Sequence, residues 1–229
     1  MLTVRVWDLP TRLFHWALVL CVLGLVISGN VGGNAMVWHG RLGYAVLALL
    51  LFRLLWGFLG GHWSRFRSFL VRPATTLAYL RGQGKPEHGV GHSPLGAWSV
   101  LAMLLVLLLQ VGSGLFADDE IAFTGPLAGL VSGEWVSTLT GYHKEIGKTL
   151  LLGLVLLHLG AIAYYRLIKR QKLVQSMISG DKAVTTPVTA SQDTAGRRWL
   201  ALVLLLLCAA AVYGIVSLGD GAVPASSFD

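Results

Sequence analysis

The chain is organised around residues 141–170, which read GYHKEIGKTLLLGLVLLHLGAIAYYRLIKR. This apolar run is long enough to cross a hydrocarbon layer about 30 Å thick, and it carries His143 and His158. An ionisable side chain inside a membrane helix is costly and indicates a functional site. The two histidines are 15 residues apart, which is roughly 22 Å and a little over four helical turns. They therefore share one face, with one histidine near each edge of the membrane.

The composition indicates a membrane protein. Of 229 residues, 55% are hydrophobic and 13% are charged, with a mean hydropathy of +0.67, whereas soluble domains carry about 25% charged residues. Cys21 and Cys208 lie in apolar runs, and no CxxC or CxxCH pattern is present. This excludes a thiolate metal site and a covalently attached c-type haem. The N-terminus lacks a signal-peptide pattern, so the first apolar run is expected to be a retained helix.

Five continuous apolar runs predict an all-α membrane protein with five transmembrane helices. They are not the alternating runs of barrel strands. The runs cover residues 13–29, 38–59, 95–117, 141–167 and 199–218. Between them, the composition predicts interfacial helices at 64–70 and 73–82, an outer cover at 126–140 and a flexible linker at 180–196.

Basic residues are concentrated on one side of the predicted membrane. The loops at 60–94 and 166–198 hold Arg65, Arg67, Arg72, Arg81, Lys85, Arg166, Lys169, Arg170, Lys172, Lys182, Arg197 and Arg198. The opposite side holds Asp118, Asp119, Glu120, Glu134, Asp220 and Asp229. Lys and Arg favour the cytoplasmic side, which predicts a multi-pass bacterial inner-membrane protein with a cytoplasmic N-terminus and a periplasmic C-terminus. Anionic membrane lipid then accounts for the net charge of +7, and no nucleic-acid partner is needed.

Depth along the predicted helices pairs four histidines. His15 and His158 lie near the inner side, and His39 and His143 lie near the outer side. Exchanging partners would leave roughly 20 Å to bridge along the membrane normal, which one metal ion cannot do. Two imidazoles on one iron are typical of a low-spin haem that transfers electrons. The pattern predicts two noncovalently bound haems, each held by one pair.

Other residues near the pairs are candidate cofactor contacts. Gly43 and Gly147 follow His39 and His143 by one turn, where a small residue lets a flat ring approach the backbone, although ordinary helix packing also uses glycine. Basic candidates for haem propionates, with lipid headgroups as the alternative, are Arg12, Arg41, Lys144 and the deeper Arg53. Gln110 is expected to make an interhelical hydrogen bond rather than a quinone contact, and His62, His88 and His92 are expected to be interfacial residues or hydrogen-bond donors.

Three segments resemble the bacterial cytochrome b561 family, which is allied to the b-type cytochrome subunit of nickel–iron hydrogenases. They are VWDLPTRLFHW at 6–16, HGRLGYAVLALLLFRLLWG at 39–57 and HKEIGKTLLLGLVLLH at 143–158. The resemblance covers roughly residues 3–170 and implies two b haems on the four paired histidines, with electrons passing between the quinone pool and a partner. The predicted division is a four-helix di-haem core at 1–170, a cytoplasmic linker at 171–198, and a fifth helix with a short outer tail at 199–229.

The predicted function is therefore transmembrane electron transfer, but the partner stays open. The acidic outer loop would suit a basic c-type cytochrome, whereas Arg41, Lys144 and Lys148 would attract a small anion such as superoxide, an activity known in the wider family. A quinone-linked oxidoreductase of the superoxide oxidase kind is thus one possibility. The alternatives are a b-type cytochrome that anchors a larger oxidoreductase, and a histidine-lined proton or metal transporter. A transporter path would need intramembrane carboxylates, of which the spans hold almost none.

Overall fold

Five helices form the frame of the protein. The computed structural model describes residues 2–84 and 86–220, so the predicted inner-loop residue Lys85 and the predicted tail residue Asp229 lie outside the described residues. Within that described part, five helical stretches are long and apolar enough to cross a membrane, at Leu9–Val31, Gly33–Leu59, Pro94–Gly114, Gly133–Leu167 and Ala195–Gly219. The all-α membrane fold and the number of spans are confirmed.

The regular elements are two short strands and nine α-helices over the described ranges. The strands are β1 (Leu2–Arg5) and β2 (Asp181–Val184). The helices are α1 (Leu9–Val31), α2 (Met36–Leu59), α3 (Phe66–Phe69), α4 (Pro73–Leu80), α5 (Pro94–Gly114), α6 (Gly133–Gly141), α7 (Lys148–Leu167), α8 (Leu173–Ser179) and α9 (Ala195–Asp220). The short helix predicted after Pro73 is confirmed as α4.

The fourth span is longer than its apolar run suggests. Helix α6 continues through a π-helical segment, Tyr142–Gly147, into α7. The prediction of a separate outer cover is therefore wrong for residues 133–140. No proline interrupts this stretch, and a π-helical turn continues the backbone bonding past Gly141 with a wider turn instead of ending the helix.

The chain divides into two compact units, and the long helices contribute to both. Among the described residues, the first unit comprises 2–16, 52–84, 86–104 and 153–204, and the second comprises 17–51, 105–152 and 205–220. Each paired set of histidines belongs to a single unit. His15 and His158 lie in the first unit, and His39 and His143 lie in the second.

In the first unit, the segment after α8 is ordered by the N-terminus. Strands β1 and β2 pair antiparallel, with Leu2 opposite Val184 and Arg5 opposite Asp181. Gly180 ends α8 in the left-handed conformation at φ 89°, and its carbonyl accepts from the N–H groups of Val6 and Trp7 at 2.8 and 3.0 Å. The expectation of a flexible linker is wrong for residues 181–184, because these backbone groups are satisfied by pairing.

Asp8 holds the start of α1 to the end of α2 in the same unit. Its side chain is fully buried, which requires its charge to be well solvated by hydrogen bonds. Both carboxylate oxygens accept two such bonds within 3.1 Å. The donors are Thr11 N, Trp56 Nε1, Gly61 N and Ser64 Oγ. The Asp8 carboxylate is therefore a structural junction, and it also caps the N-terminus of α1.

Candidate functional site

In the second unit, the imidazoles of His39 and His143 face each other. His39 lies on α2 and His143 lies on the π-helical segment, and their ring centroids are 6.0 Å apart. A metal–imidazole bond is about 2 Å long, so two rings bound on opposite sides of one metal have centroids roughly 6 Å apart. The pair is therefore spaced as two axial ligands of one iron would be.

A backbone carbonyl on α1 sets the tautomer of His39. The Nδ1 atom of His39 lies 3.1 Å from Leu25 O and 3.3 Å from Ser28 Oγ. Because a carbonyl only accepts, Nδ1 must carry the proton. The Ser28 hydroxyl donates its own proton to Gly24 O at 2.7 Å, which leaves its oxygen free to accept from the imidazole. The Nε2 lone pair of His39 is thus available for a metal, as in metal sites whose histidines are oriented by such partners.

The same arrangement recurs around His143 on α5. Its Nδ1 lies 2.8 Å from Gln110 O and 3.3 Å from Ser113 Oγ. The Ser113 hydroxyl donates to Gln110 O at 2.9 Å. Both histidines of the second unit therefore keep Nε2 unprotonated and available for a metal, and each is oriented by a carbonyl and a serine on a neighbouring helix.

A glycine follows each of these serines and makes room for the ring. A Cβ atom at Gly29 would lie 3.1 Å from the His39 ring, and one at Gly114 would lie 2.9 Å from the His143 ring. Sequence reasoning missed this Ser-Gly pair, which appears in the chain as residues 28–29 and 113–114. The available signal was the same dipeptide near the ends of two apolar runs.

Gln110 fastens the π-helical segment that carries His143. Its Nε2 donates to His143 O at 2.9 Å, so the predicted interhelical hydrogen bond is confirmed. A Cβ at Gly147 would overlap Gln110 Oε1. The close approach that the sequence assigned to a flat ring at Gly147 is thus made by the Gln110 amide. π-helical turns are frequent at functional sites, and this one holds a candidate ligand.

A cavity of about 430 Å³ in the second unit adjoins this pair. Its apolar wall includes Val22, Leu107 and Leu151, and its polar residues include Asp119, Lys144 and Lys148. Binding sites for organic cofactors have this volume and a mostly apolar lining. The paired imidazoles with fixed tautomers and the nearby ammonium groups fit a haem: His39 and His143 would bind its iron, and Lys144 and Lys148 could pair with its carboxylates.

The remaining sequence candidates of this unit differ in placement. Gly43 lines the cavity, and no atom lies within 4 Å of a Cβ built on it, so the open space predicted there is present. Lys144 also lines the cavity. The Arg41 side chain is exposed, and its guanidinium lies 5.2 Å from the centre of the Trp38 ring, outside the cavity lining.

The first unit brings His15 and His158 together. Their ring centroids are 6.5 Å apart, again close to the roughly 6 Å expected for two imidazoles on one metal. The Nδ1 atom of His15 is buried and has no hydrogen-bond partner among the described residues. Arg12, one turn earlier, donates from its guanidinium to Ile178 O at 2.5 Å. The imidazole pair predicted by depth is thus present, while Arg12 is engaged with α8.

His92 is half-buried and packs against aromatic side chains. Its ring lies 4.8 Å from Trp7 and 4.5 Å from Phe69, contacts that its position in a loop did not indicate. Burial, together with the neighbouring charges of Arg53 and His158, lowers the pKa of His92 to about 3. His92 is therefore neutral at physiological pH. The other two loop histidines lie beside aromatic rings, His62 at 4.9 Å from Trp63 and His88 at 5.8 Å from Tyr79.

Paired imidazoles between apolar helices are the ligand type expected of a membrane-bound b-type cytochrome, and the structure holds two such pairs among the described residues. The family model described as prokaryotic cytochrome b561 matches residues 6–180 of the chain. The chain belongs to this family, which confirms the resemblance seen in the sequence. It is accordingly a multi-pass membrane b-type cytochrome of electron transport, and its cofactor is haem b.

Curated relatives carry a consistent name. Proteins called probable Ni/Fe-hydrogenase B-type cytochrome subunit are similar to the chain in Azotobacter vinelandii, at 26% identity over 77% of this chain and 87% of the relative, and in Bradyrhizobium diazoefficiens, at 23% over 79% and 86%. A probable Ni/Fe-hydrogenase 1 B-type cytochrome subunit of Escherichia coli is 22% identical over 80% and 88%. No solved structure matches the chain.

Proposed function

We propose that the protein carries electrons across the bacterial inner membrane through two bis-histidine b haems, between the quinone pool and a redox partner. The observation that supports this most is the occurrence of two facing imidazole pairs, with ring centroids 6.5 and 6.0 Å apart. Each bound haem would supply a one-electron couple, and the proposal is that electrons pass from one haem to the other.

The protein's own residues bind and orient these groups. His15 and His158 would hold one iron, and His39 and His143 the other. In the second unit, the carbonyls of Leu25 and Gln110 keep Nδ1 protonated, so each imidazole is held in one tautomer and one orientation. Such preorganised ligands keep the coordination of the metal unchanged between its two charge states, which favours fast electron transfer over ligand exchange.

Orientation follows from the distribution of charge between the units. Of the described Lys and Arg residues, the second unit holds Arg41, Lys144 and Lys148, and the first unit holds the others. Under the positive-inside rule this charge distribution supports the proposed cytoplasmic position of the first unit and the N-terminus. We assign the di-haem core to residues 1–170, the cytoplasmic linker to 171–198, and the fifth helix with its tail to 199–229.

Haem stoichiometry tests the proposal. A pyridine haemochrome assay on the purified protein should give about two haems b per chain, with the sharp reduced bands of bis-histidine ligation. His158→Ala should lose the first-unit haem and keep the other, and His143→Ala should do the reverse. The matched control is His62→Ala, which should keep both. A colourless wild-type protein prepared with ample haem, or an unchanged haem content in both ligand variants, would refute the proposal.

A second candidate is a cytochrome subunit that anchors a larger oxidoreductase, and the names of the relatives favour it. Direct reduction of the haems by quinol, by superoxide or by a reduced c-type cytochrome would separate the roles. Superoxide is considered because Lys144 and Lys148 line the cavity beside the His39–His143 pair. If none of the three donors reduces the haems of the isolated chain at useful rates, the anchor role is favoured over independent electron transfer.

A further inference from the structure

Arg53 is a buried cation in the first unit without a counter-ion in contact. Its side chain is 3% exposed, its guanidinium lies 5.1 Å from the centre of the Phe66 ring, and one terminal nitrogen, Nη1, has no hydrogen-bond partner among the described residues. A buried charge is strongly unfavourable unless an anion and hydrogen bonds accompany it. The surroundings of Arg53 therefore lack an acceptor that the side chain requires.

The carboxylate of Asp8 does not supply that acceptor. It lies within electrostatic range of Arg53, but no ion pair joins the two within the described part of the chain. Both oxygens of Asp8 are already occupied by donors from α1, α2 and the loop that follows α2. The Nη1 group of Arg53 thus remains available for an anion that the described residues do not provide.

His92 offers a second unpartnered nitrogen in the same unit. Its Nδ1 atom is buried and has no hydrogen-bond partner among the described residues. The His92 ring packs against Trp7 and Phe69. Phe69 in turn packs against Phe66, and the guanidinium of Arg53 lies over the Phe66 ring. His92 also interacts electrostatically with both Arg53 and His158, so the two unpartnered nitrogens and the candidate ligand His158 belong to one electrostatically connected region of the first unit.

We propose that Arg53 and His92 form a buried carboxylate site that binds one propionate of the haem held by His15 and His158. This rests on the proposed function, because it requires a haem at that pair. A guanidinium donates two parallel hydrogen bonds to a carboxylate, and a neutral imidazole can donate one. The site would neutralise Arg53 and satisfy both free nitrogens. Arg12, the nearer candidate in sequence, donates from Nη1 to Ile178 O, and its Nε has no hydrogen-bond partner among the described residues.

The test compares protein variants, each loaded with a haem that either has or lacks free propionates. Apoprotein produced without haem is loaded with haem b or with its dimethyl ester, in which the propionates are esterified and uncharged. All variants are made in the His39→Ala background, which would keep only the first-unit haem, so that the measured haem loss comes from the His15–His158 pair. In the protein that retains Arg53, the dimethyl ester should be lost about tenfold or more faster than haem b, because esterification removes the charge-assisted hydrogen bonds to the carboxylate.

Arg53→Gln should remove this discrimination. The variant should lose haem b and the ester at similar rates, and the midpoint potential of its haem b should fall, since an uncompensated carboxylate favours the ferric ion. The potential of the ester form should change less. His92→Phe should reduce the discrimination in part, and Arg53→Lys should retain some of it through its charge. Arg67→Gln, an exposed arginine on α3, is the matched control and should keep the full wild-type ratio.

Each outcome decides between structural and binding roles. A merely structural Arg53 would weaken the retention of both cofactors equally and leave their ratio at the wild-type value, which would overturn the inference. If Arg53→Gln does not fold, a wild-type ratio in both Arg53→Lys and His92→Phe would overturn it as well. Absence of any haem at the His15–His158 pair in the wild-type protein would instead refute the proposed function.

Discussion

Replacing Gly114 by alanine should selectively weaken the haem bound by His39 and His143. The added Cβ would lie 2.9 Å from Cε1 of the His143 ring. Carbon atoms in contact are about 3.5 Å or more apart, so the ring must move by roughly 0.6 Å. If that movement is away from α5, the hydrogen bond from Nδ1 to Gln110 O, now 2.8 Å, lengthens to roughly 3.4 Å, beyond the usual limit.

The expected magnitude follows from that lost orientation. Removing the partner that orients a metal-bound histidine reduces metal affinity by about 10- to 100-fold, which corresponds to about 1.4–2.7 kcal/mol. The assay is the rate at which the purified holoprotein gives up haem to an excess of a haem-free acceptor protein. The fast phase should account for one of two haems, and the haem on His15 and His158 should be retained.

Gly112→Ala provides the matched control on the same helix. No atom lies within 4 Å of a Cβ at Gly112, so that variant gains only the helix propensity of alanine, up to about 1 kcal/mol. It should keep both haems at wild-type rates. Equal haem retention in the two variants would show that the contact between Gly114 and His143 does not control the ligand, and the reasoning would be refuted.

Three further perturbations follow from the same contacts. Asp8→Ala leaves four buried donors unpaired and should destabilise the protein by roughly 3 kcal/mol or more; an unchanged unfolding midpoint in detergent would contradict this. Ser113→Ala removes the second acceptor of His143 Nδ1. In a redox titration it should raise the midpoint potential of the haem bound by His39 and His143 by roughly 20–40 mV, whereas the control Ser99→Ala should leave that potential unchanged. Burial alone would raise the pKa of Asp193, but hydrogen bonds from Arg198, Leu9 N and Arg5 lower it. Its ionised form therefore stabilises the fold at neutral pH, and this contribution is lost as the pH falls below about 4. The thermal unfolding midpoint of Asp193→Asn should accordingly fall less at acid pH than that of the wild type. Parallel pH profiles of the two proteins would show that ionised Asp193 does not stabilise the fold.

The helices and the paired histidines were predictable because both are local properties. A run of apolar residues determines whether a helix spans a bilayer, and the rise per residue determines the depth of each histidine on it. These two regularities were enough to pair His15 with His158 and His39 with His143, as the structure does. The resemblance carried by the same segments was confirmed by the family match.

The tertiary structure alone decided which groups hold those histidines. His39 and His143 are oriented by carbonyls 14 and 33 residues away, and β1 pairs with a strand about 180 residues later. The burial of His92 and Arg53 likewise depends on contacts across the first unit. Membrane helices are apolar on all sides, so their hydropathy does not encode which face meets a neighbour. Helix rotation and register come from packing and from the few polar groups that must be satisfied inside it.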